Sequence, residues 1–146
     1  MGQPEWNTIV EDLSVPSEAG VRWTKALDYA PVGKLIKIEA RGSWKPSGFA
    51  VQCTADGDDY GFYERANLPL ENAATGALIA RIGGGTAEKT FVSSAGSGWV
   101  VFAVGRFCVV SVPPQPVGAL LFAVNDRTDL MPKLTGVLTV TISEAL

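Results

Sequence analysis

The chain has 146 residues, 47% of them hydrophobic and 18% charged, with a net charge of −3 and no histidine. That length and apolar content predict one domain, 1–146, with a core of its own, and exclude a disordered polymer. The missing histidine excludes Ser-His and Cys-His nucleophile pairs and His-ligated zinc, and with no Lys/Arg cluster in the chain a nucleic-acid partner is not expected.

The first ten residues are polar and hold no basic segment leading into an apolar run, so no signal peptide is expected. The compartment stays open between the cytoplasm and secretion by a non-classical route. Val21 and Trp23 lead toward a Pro-Val-Gly turn at 31–33, and residues 35–40 alternate as a strand that ends at Gly42. A strand at 48–53 precedes the polar loop ADGDDYG. Further strands are predicted at 76–82, 89–92, 99–104, 107–112, 118–124 and 136–142, making eight or nine in all. With no amphipathic helix among them, they predict an all-β antiparallel sandwich of two sheets. Pro and Gly interrupt every long apolar run well short of the ~18 residues of a membrane helix, so no membrane span is expected.

In the last strand Leu138, Val140 and Ile142 fall on one face, opposite Val137, Thr139 and Thr141, and the aliphatic face belongs to the core. The runs GALLFAV and WVVFAV are apolar on both faces. They read as central strands covered twice, by the second sheet and either a loop or a neighbouring subunit, which leaves a homo-oligomer open. The prolines of VPPQPV at 112–117 place that segment in a connection or at a sheet edge. Cys53 and Cys108 lie in apolar strand contexts and read as buried free thiols, with a disulfide as the alternative.

Candidate chemistry gathers in two places. Asp56, Asp58 and Asp59 stand close together on a Gly-containing loop that continues through Tyr60 to Glu64. Such a loop could collect oxygens around a hard cation, although the spacing is not that of an EF-hand, and a solvated hairpin loop is the simpler alternative. Asn125 and Asp126 end the apolar strand 118–124, where they could cap a turn or present a carboxylate to a ligand. A carboxylate can accept hydrogen bonds from two neighbouring sugar hydroxyls while an aromatic ring, from Trp44, Tyr60, Phe62 or Tyr63, covers the apolar sugar face. Asp58 or Asp59 paired with Asp126 would also be the only basis for glycosidase chemistry, and a sandwich this small promises no deep cleft for it, so no enzyme is expected. The Gly83-Gly-Gly85 run lacks the Lys-Ser/Thr and the helix of a phosphate loop and reads as a turn.

Three segments, GALIARIG at 76–83, GALLFAVND at 118–126 and GVLTVTI at 136–142, together resemble the galactose-binding-like jelly-roll family of the calcium-dependent galactophilic lectin of Pseudomonas. The resemblance covers residues 20–142. It implies a jelly-roll sandwich and a carbohydrate partner held through a surface calcium ion, with Asp126 as a metal ligand and a carbonyl near Pro46 as another. At the remaining ligand positions the chain departs from the pattern, with Leu130, Lys133 and Leu134 where oxygen ligands are implied. A degraded calcium site is therefore expected, with Lys133 in the cation's place against Asp126 and with Asn125, Asp58, Asp59, Tyr60 and Glu64 as the other ligand-binding candidates. The expected function is a non-enzymatic carbohydrate-binding module. The alternative is a structural or self-assembly sandwich that has lost sugar binding.

Overall fold

A computed structural model describes residues 5–16, 23–45, 52–58, 70, 72–83, 95–96, 99–126 and 135–146. The described chain is all-β, with strands β1 (Trp6–Pro16), β2 (Thr24–Leu27), β3 (Leu35–Lys45), β4 (Leu78–Gly83), β5 (Ala95–Gly96), β6 (Trp99–Ala103), β7 (Phe107–Ser111), β8 (Leu120–Val124) and β9 (Thr135–Ala145). One sheet has the order β1-β9-β3-β7 and the other β2-β8-β4-β6-β5. Every pairing is antiparallel. β1 meets β9, β2 meets β8, β3 meets β7 and β4 meets β6, so the chain runs as one long ribbon doubled back near β5 and wound into two sheets. That winding is a jelly roll. Among the described residues no helix is long and apolar enough to cross a membrane.

Most expected strands appear, with moved ends: β3 runs on through Trp44 to Lys45, and β9 runs on to Ala145. Cys53 is a single bridge to Trp44; the rest of the strand expected at 48–53, apart from Gln52, and all of that at 89–92 lie outside the described residues. Two strands carry no clear alternation in the sequence. β2 has only four residues. β1 has eleven, but its register against β9 shifts between Thr8 and Val10 and again between Val10 and Leu13, and Asp12 takes a φ of 54°. Each extra residue moves the apolar positions to the other face, which erases the period of two. Asp12 is held in that conformation by an ion pair to Arg41 and by its own N–H, which donates to Thr141 Oγ1 at 3.3 Å.

The sandwich interior is built from the inward faces of both sheets: Ile36, Ile38 and Trp44 of β3 and Leu138, Val140 and Ile142 of β9 meet Leu78, Ala80 and Ile82 of β4 and Leu120 and Phe122 of β8. A second apolar layer lies outside the β2-β8-β4 sheet, where Ile79, Leu121, Ala123 and Val101 pack against Trp23, Leu70 and Ala73. All residues of β4 and β8 are therefore buried, which accounts for the unbroken apolar run of GALLFAV. Arg81 shares this outer layer, fully buried, with its guanidinium carbon 5.0 Å from the centre of the Trp23 ring. If the outer layer is a true core, Leu121→Ala will cost about 2–5 kcal/mol, as a truncation in the sandwich interior does; urea unfolding of this variant beside Leu138→Ala checks the equivalence.

Candidate functional site

The end of β3 pairs with the start of β9, and the end of β8 pairs with the start of β4, so these four termini mark matching ends of their sheets. Trp44 joins the two sheets there. Its backbone exchanges hydrogen bonds with Cys53, and its buried indole Nε1 donates across the sandwich to the carbonyl of Gly76 at 2.7 Å. Trp44 is fully buried, so its ring is a core element and not the sugar platform that its place in the sequence allowed.

Asn125 follows β8 and is also fully buried. Its backbone extends the β8–β4 ladder, donating to the carbonyl of Ala77 at 2.8 Å and accepting from Gly76 N–H at 2.7 Å. Its side-chain oxygen accepts from Leu70 N–H at 3.0 Å, and its amide nitrogen donates to the carbonyls of Leu70, Ala73 and Ala74 at 2.9, 3.2 and 3.2 Å. The side chain is thus spent on the protein itself, where it fastens the segment that carries Leu70 and Ala73 onto the outer layer. Proximity to Asp126 in the sequence suggested a ligand contact; the geometry makes Asn125 a clamp.

The acidic loop is divided between two tasks. Asp56 turns away to the β6–β7 connection, where Oδ1 accepts from Arg106 N–H at 2.8 Å and Oδ2 pairs with Arg106 Nε at 2.7 Å. Two residues on, Asp58 is exposed, and its N–H donates to the carbonyl of Thr75 at 2.8 Å. Gly57 makes this turn possible. Its φ is +71°, and a Cβ there would sit 2.5 Å from Ala77 N and 2.7 Å from the Thr75 carbonyl, so only glycine lets the loop lie flat on 75–77.

This placement brings the 53–58 segment and the strand end Asn125–Asp126 onto the same 75–77 turn, where Asp58 N–H meets the Thr75 carbonyl, Gly76 N–H meets the Asn125 carbonyl and Cys53 Sγ lies 3.9 Å from the Gly76 carbonyl. Burial, then the charge of Asp58, and more weakly that of Asp126 push the Cys53 thiol up to about 11, against a lowering by Trp44. Asp126 itself is 2% exposed, so the carboxylate expected at the surface lies beneath it, and Asp58 is the acid that faces solvent. At the margin of the other sheet Ser43 Oγ donates to Gln52 Oε1 at 2.9 Å. Asp59, Tyr60, Glu64, Lys133 and Pro46 lie outside the described residues, as do Phe62, Tyr63, Leu130 and Leu134. Cys53 and Cys108 are free thiols, as expected, but both are half-buried rather than buried, because each lies at the margin of the core.

Calcium takes six to eight oxygen ligands. Asp58 and Asp126 supply carboxylates, but a protonated thiol stands beside them, and Leu130, Lys133 and Leu134 bring no side-chain oxygen to the positions that the resemblance implies. The donor set does not suit the ion. Among the described residues no group of three or more His, Cys, Asp or Glu is placed to hold a metal. Comparison of the chain with protein-family models and with curated proteins returns no match.

Two measurements follow from this geometry. Asn125→Ala removes the acceptor of the buried Leu70 N–H and one donor to the carbonyls of Leu70, Ala73 and Ala74, of which those of Leu70 and Ala74 keep the N–H groups of Ala73 and Ala77; at about 1–3 kcal/mol for a buried group left unsatisfied, the variant will be destabilised by that amount in chemical denaturation. The Cys53 thiol holds its proton to higher pH when folded than when unfolded, so its contribution to stability is complete below the ordinary thiol value of 9.0 and is lost as pH rises through about 11. The fall in stability between those values will be smaller in Cys53→Ala, as unfolding curves at stepped pH will show.

Proposed function

We propose that the chain is a non-enzymatic carbohydrate-binding module whose ligand sits over the loops at 52–58, 72–77 and 125–126. The observation that carries this reading is that the loop bearing Asp58 and the strand end Asn125–Asp126, far apart in sequence, meet on one segment: Asp58 N–H donates to the Thr75 carbonyl at 2.8 Å and Gly76 N–H donates to the Asn125 carbonyl at 2.7 Å. An exposed carboxylate on a loop pinned by Gly57 can accept hydrogen bonds from two adjacent hydroxyls without reordering. Sugar hydroxyls are neutral donors and suit such a site; phosphate and sulfate are repelled by it. The framework resemblance to a galactophilic lectin family agrees with the same end of the sandwich, through the strand that ends in Asn125 and Asp126.

Among the described residues no nucleophile is activated beside these acids, because the Cys53 thiol stays protonated at neutral pH and the chain has no histidine to deprotonate a hydroxyl. Binding is accordingly the whole activity in this reading, and it does not depend on calcium, since the donor set is unsuited to the ion. A glycan array followed by calorimetry in calcium and in chelator tests it. The expected result is binding of at least one class of neutral glycan with equal affinity in both buffers, weakened at least tenfold by Asp58→Asn. No binding at millimolar glycan, or binding that Asp58→Asn and Asp126→Asn leave unchanged, overturns it.

A further inference from the structure

We propose that β7 is a self-association edge, through which two copies of this chain join their β1-β9-β3-β7 sheets into one continuous antiparallel sheet about a two-fold axis at Val109. Among the described residues β7 is the last strand of its sheet, paired on one side only, to β3. The phase of that ladder is set at both ends, where Val112 N–H donates to the Lys34 carbonyl and Ala40 N–H donates to the Arg106 carbonyl, each at 2.9 Å. Bonded pairs alternate with non-bonded ones in an antiparallel ladder. Cys108 and Val110 therefore bond toward β3, and the N–H and C=O groups of Phe107, Val109 and Ser111 point away from it. Among the described residues nothing bonds to them.

The side chains follow the same alternation. Cys108 and Val110 pack on the interior, while Phe107 and Val109 stand on the outer face, 60% and 44% exposed, with Leu35 beside them on β3 at 37%. Open sheet edges in soluble proteins are normally blunted by charge, proline, bulges or shortness. The opposite edge of this sheet, β1, has such devices: two register shifts, Glu11, Asp12 and a terminal Pro16. In the other sheet, β2 has four residues and a register shift, and β5 has two residues. β7, with the sequence FCVVS, has none of them.

The occupant is argued from self-complementarity. A two-fold axis at Val109 sets Val109 against Val109 and Phe107 against Ser111 of the second copy. All three outward-pointing residues then meet outward-pointing residues, and each facing pair exchanges two N–H···O=C bonds. Phe107 lies over the small Ser111 of the second copy, whose own register partner is Leu35, so a large apolar ring meets a small residue and an aliphatic one. The nearest charges on β3, Lys37 and Glu39, pair with each other at 3.6 Å, so among the described residues the charges beside the axis offset each other within each copy. Stable interfaces bury about 1,200–2,000 Å² in total, and a five-residue edge carrying one Phe and one Val per copy falls at or below the lower end of that range, which makes this a weak, concentration-dependent dimer.

Sedimentation velocity on the full chain from low to high micromolar concentration tests the proposal, with circular dichroism and thermal melting to show that each variant is folded. The wild type is expected to shift from monomer toward dimer mass, and Phe107→Asp and Val109→Pro to weaken association at least tenfold, the proline removing an N–H that β3 does not use. A cross-link checks the register. In a background with both native cysteines replaced by alanine, Val109→Cys places two thiols on residues whose Cα atoms are about 5.5 Å apart, within disulfide reach, and is expected to form a covalent dimer on mild oxidation, whereas Phe107→Cys is not. A wild type that stays monomeric throughout, association undiminished in Phe107→Asp, or a cross-link at 107 in preference to 109 overturns it. The edge and the proposed sugar site share no residue, so loss of glycan binding in Asp58→Asn with association intact separates the two ideas.

Discussion

The amide of Asn125 is the interaction on which the working end of this sandwich depends. One buried side chain holds backbone groups of three residues in the 70–74 segment, while its own backbone extends the β8–β4 ladder. Those bonds keep Leu70 and Ala73 on the outer face of β4 and β8, and without that cover Ile79 and Leu121 would face water on a strand pair whose inner face is already core. The same residues position the next segment, 75–77, against which Gly57 lays the loop bearing Asp58. Outer packing and ligand loop therefore share one support, and a lesion at Asn125 acts on both.

Charge is handled locally across the molecule. Asp56 closes the β6–β7 turn with Arg106, Asp12 stabilises a bulge with Arg41, and Lys37 pairs with Glu39 on the outer face of β3. These pairs are exposed and each adds little stability, but they consume acids that look alike in the sequence. Of the two described aspartates in the run at 56–59, Asp56 is taken by Arg106 and Asp58 faces solvent, which is why the candidate site is smaller and more specific in position than that run suggests. Both sheet edges on the β1-β9-β3-β7 side are likewise distinguishable only by their local chemistry: β1 is bulged and charged, and β7 is regular and apolar.

Much of the fold was legible from alternation and turns. Residues 35–40, 99–104, 107–112 and 118–124 read correctly because both sides of each strand have a constant environment along its length. β1 was not legible, since its bulges invert the pattern twice within eleven residues. The burial of Arg81 is likewise without a signal in the sequence. An arginine within an aliphatic strand ordinarily marks a solvent face, yet here Trp23 and the 70–74 segment close over that face, and the guanidinium lies buried against the indole ring. Trp44 gave no sign in the sequence that its indole would span the sandwich to the Gly76 carbonyl.

The sequence by itself determined the class of fold and the absence of imidazole chemistry, because these follow from periodicity and from composition. Only the tertiary structure decided how each acid is used, since that depends on partners outside its own loop: Arg106, 50 residues on, for Asp56, and the 75–77 turn for Asp58. It also turned Asn125 from a ligand candidate into a clamp. A side chain's hydrogen-bonding groups can serve a ligand or the fold, and the choice is made by what the folded chain brings within 3 Å of them.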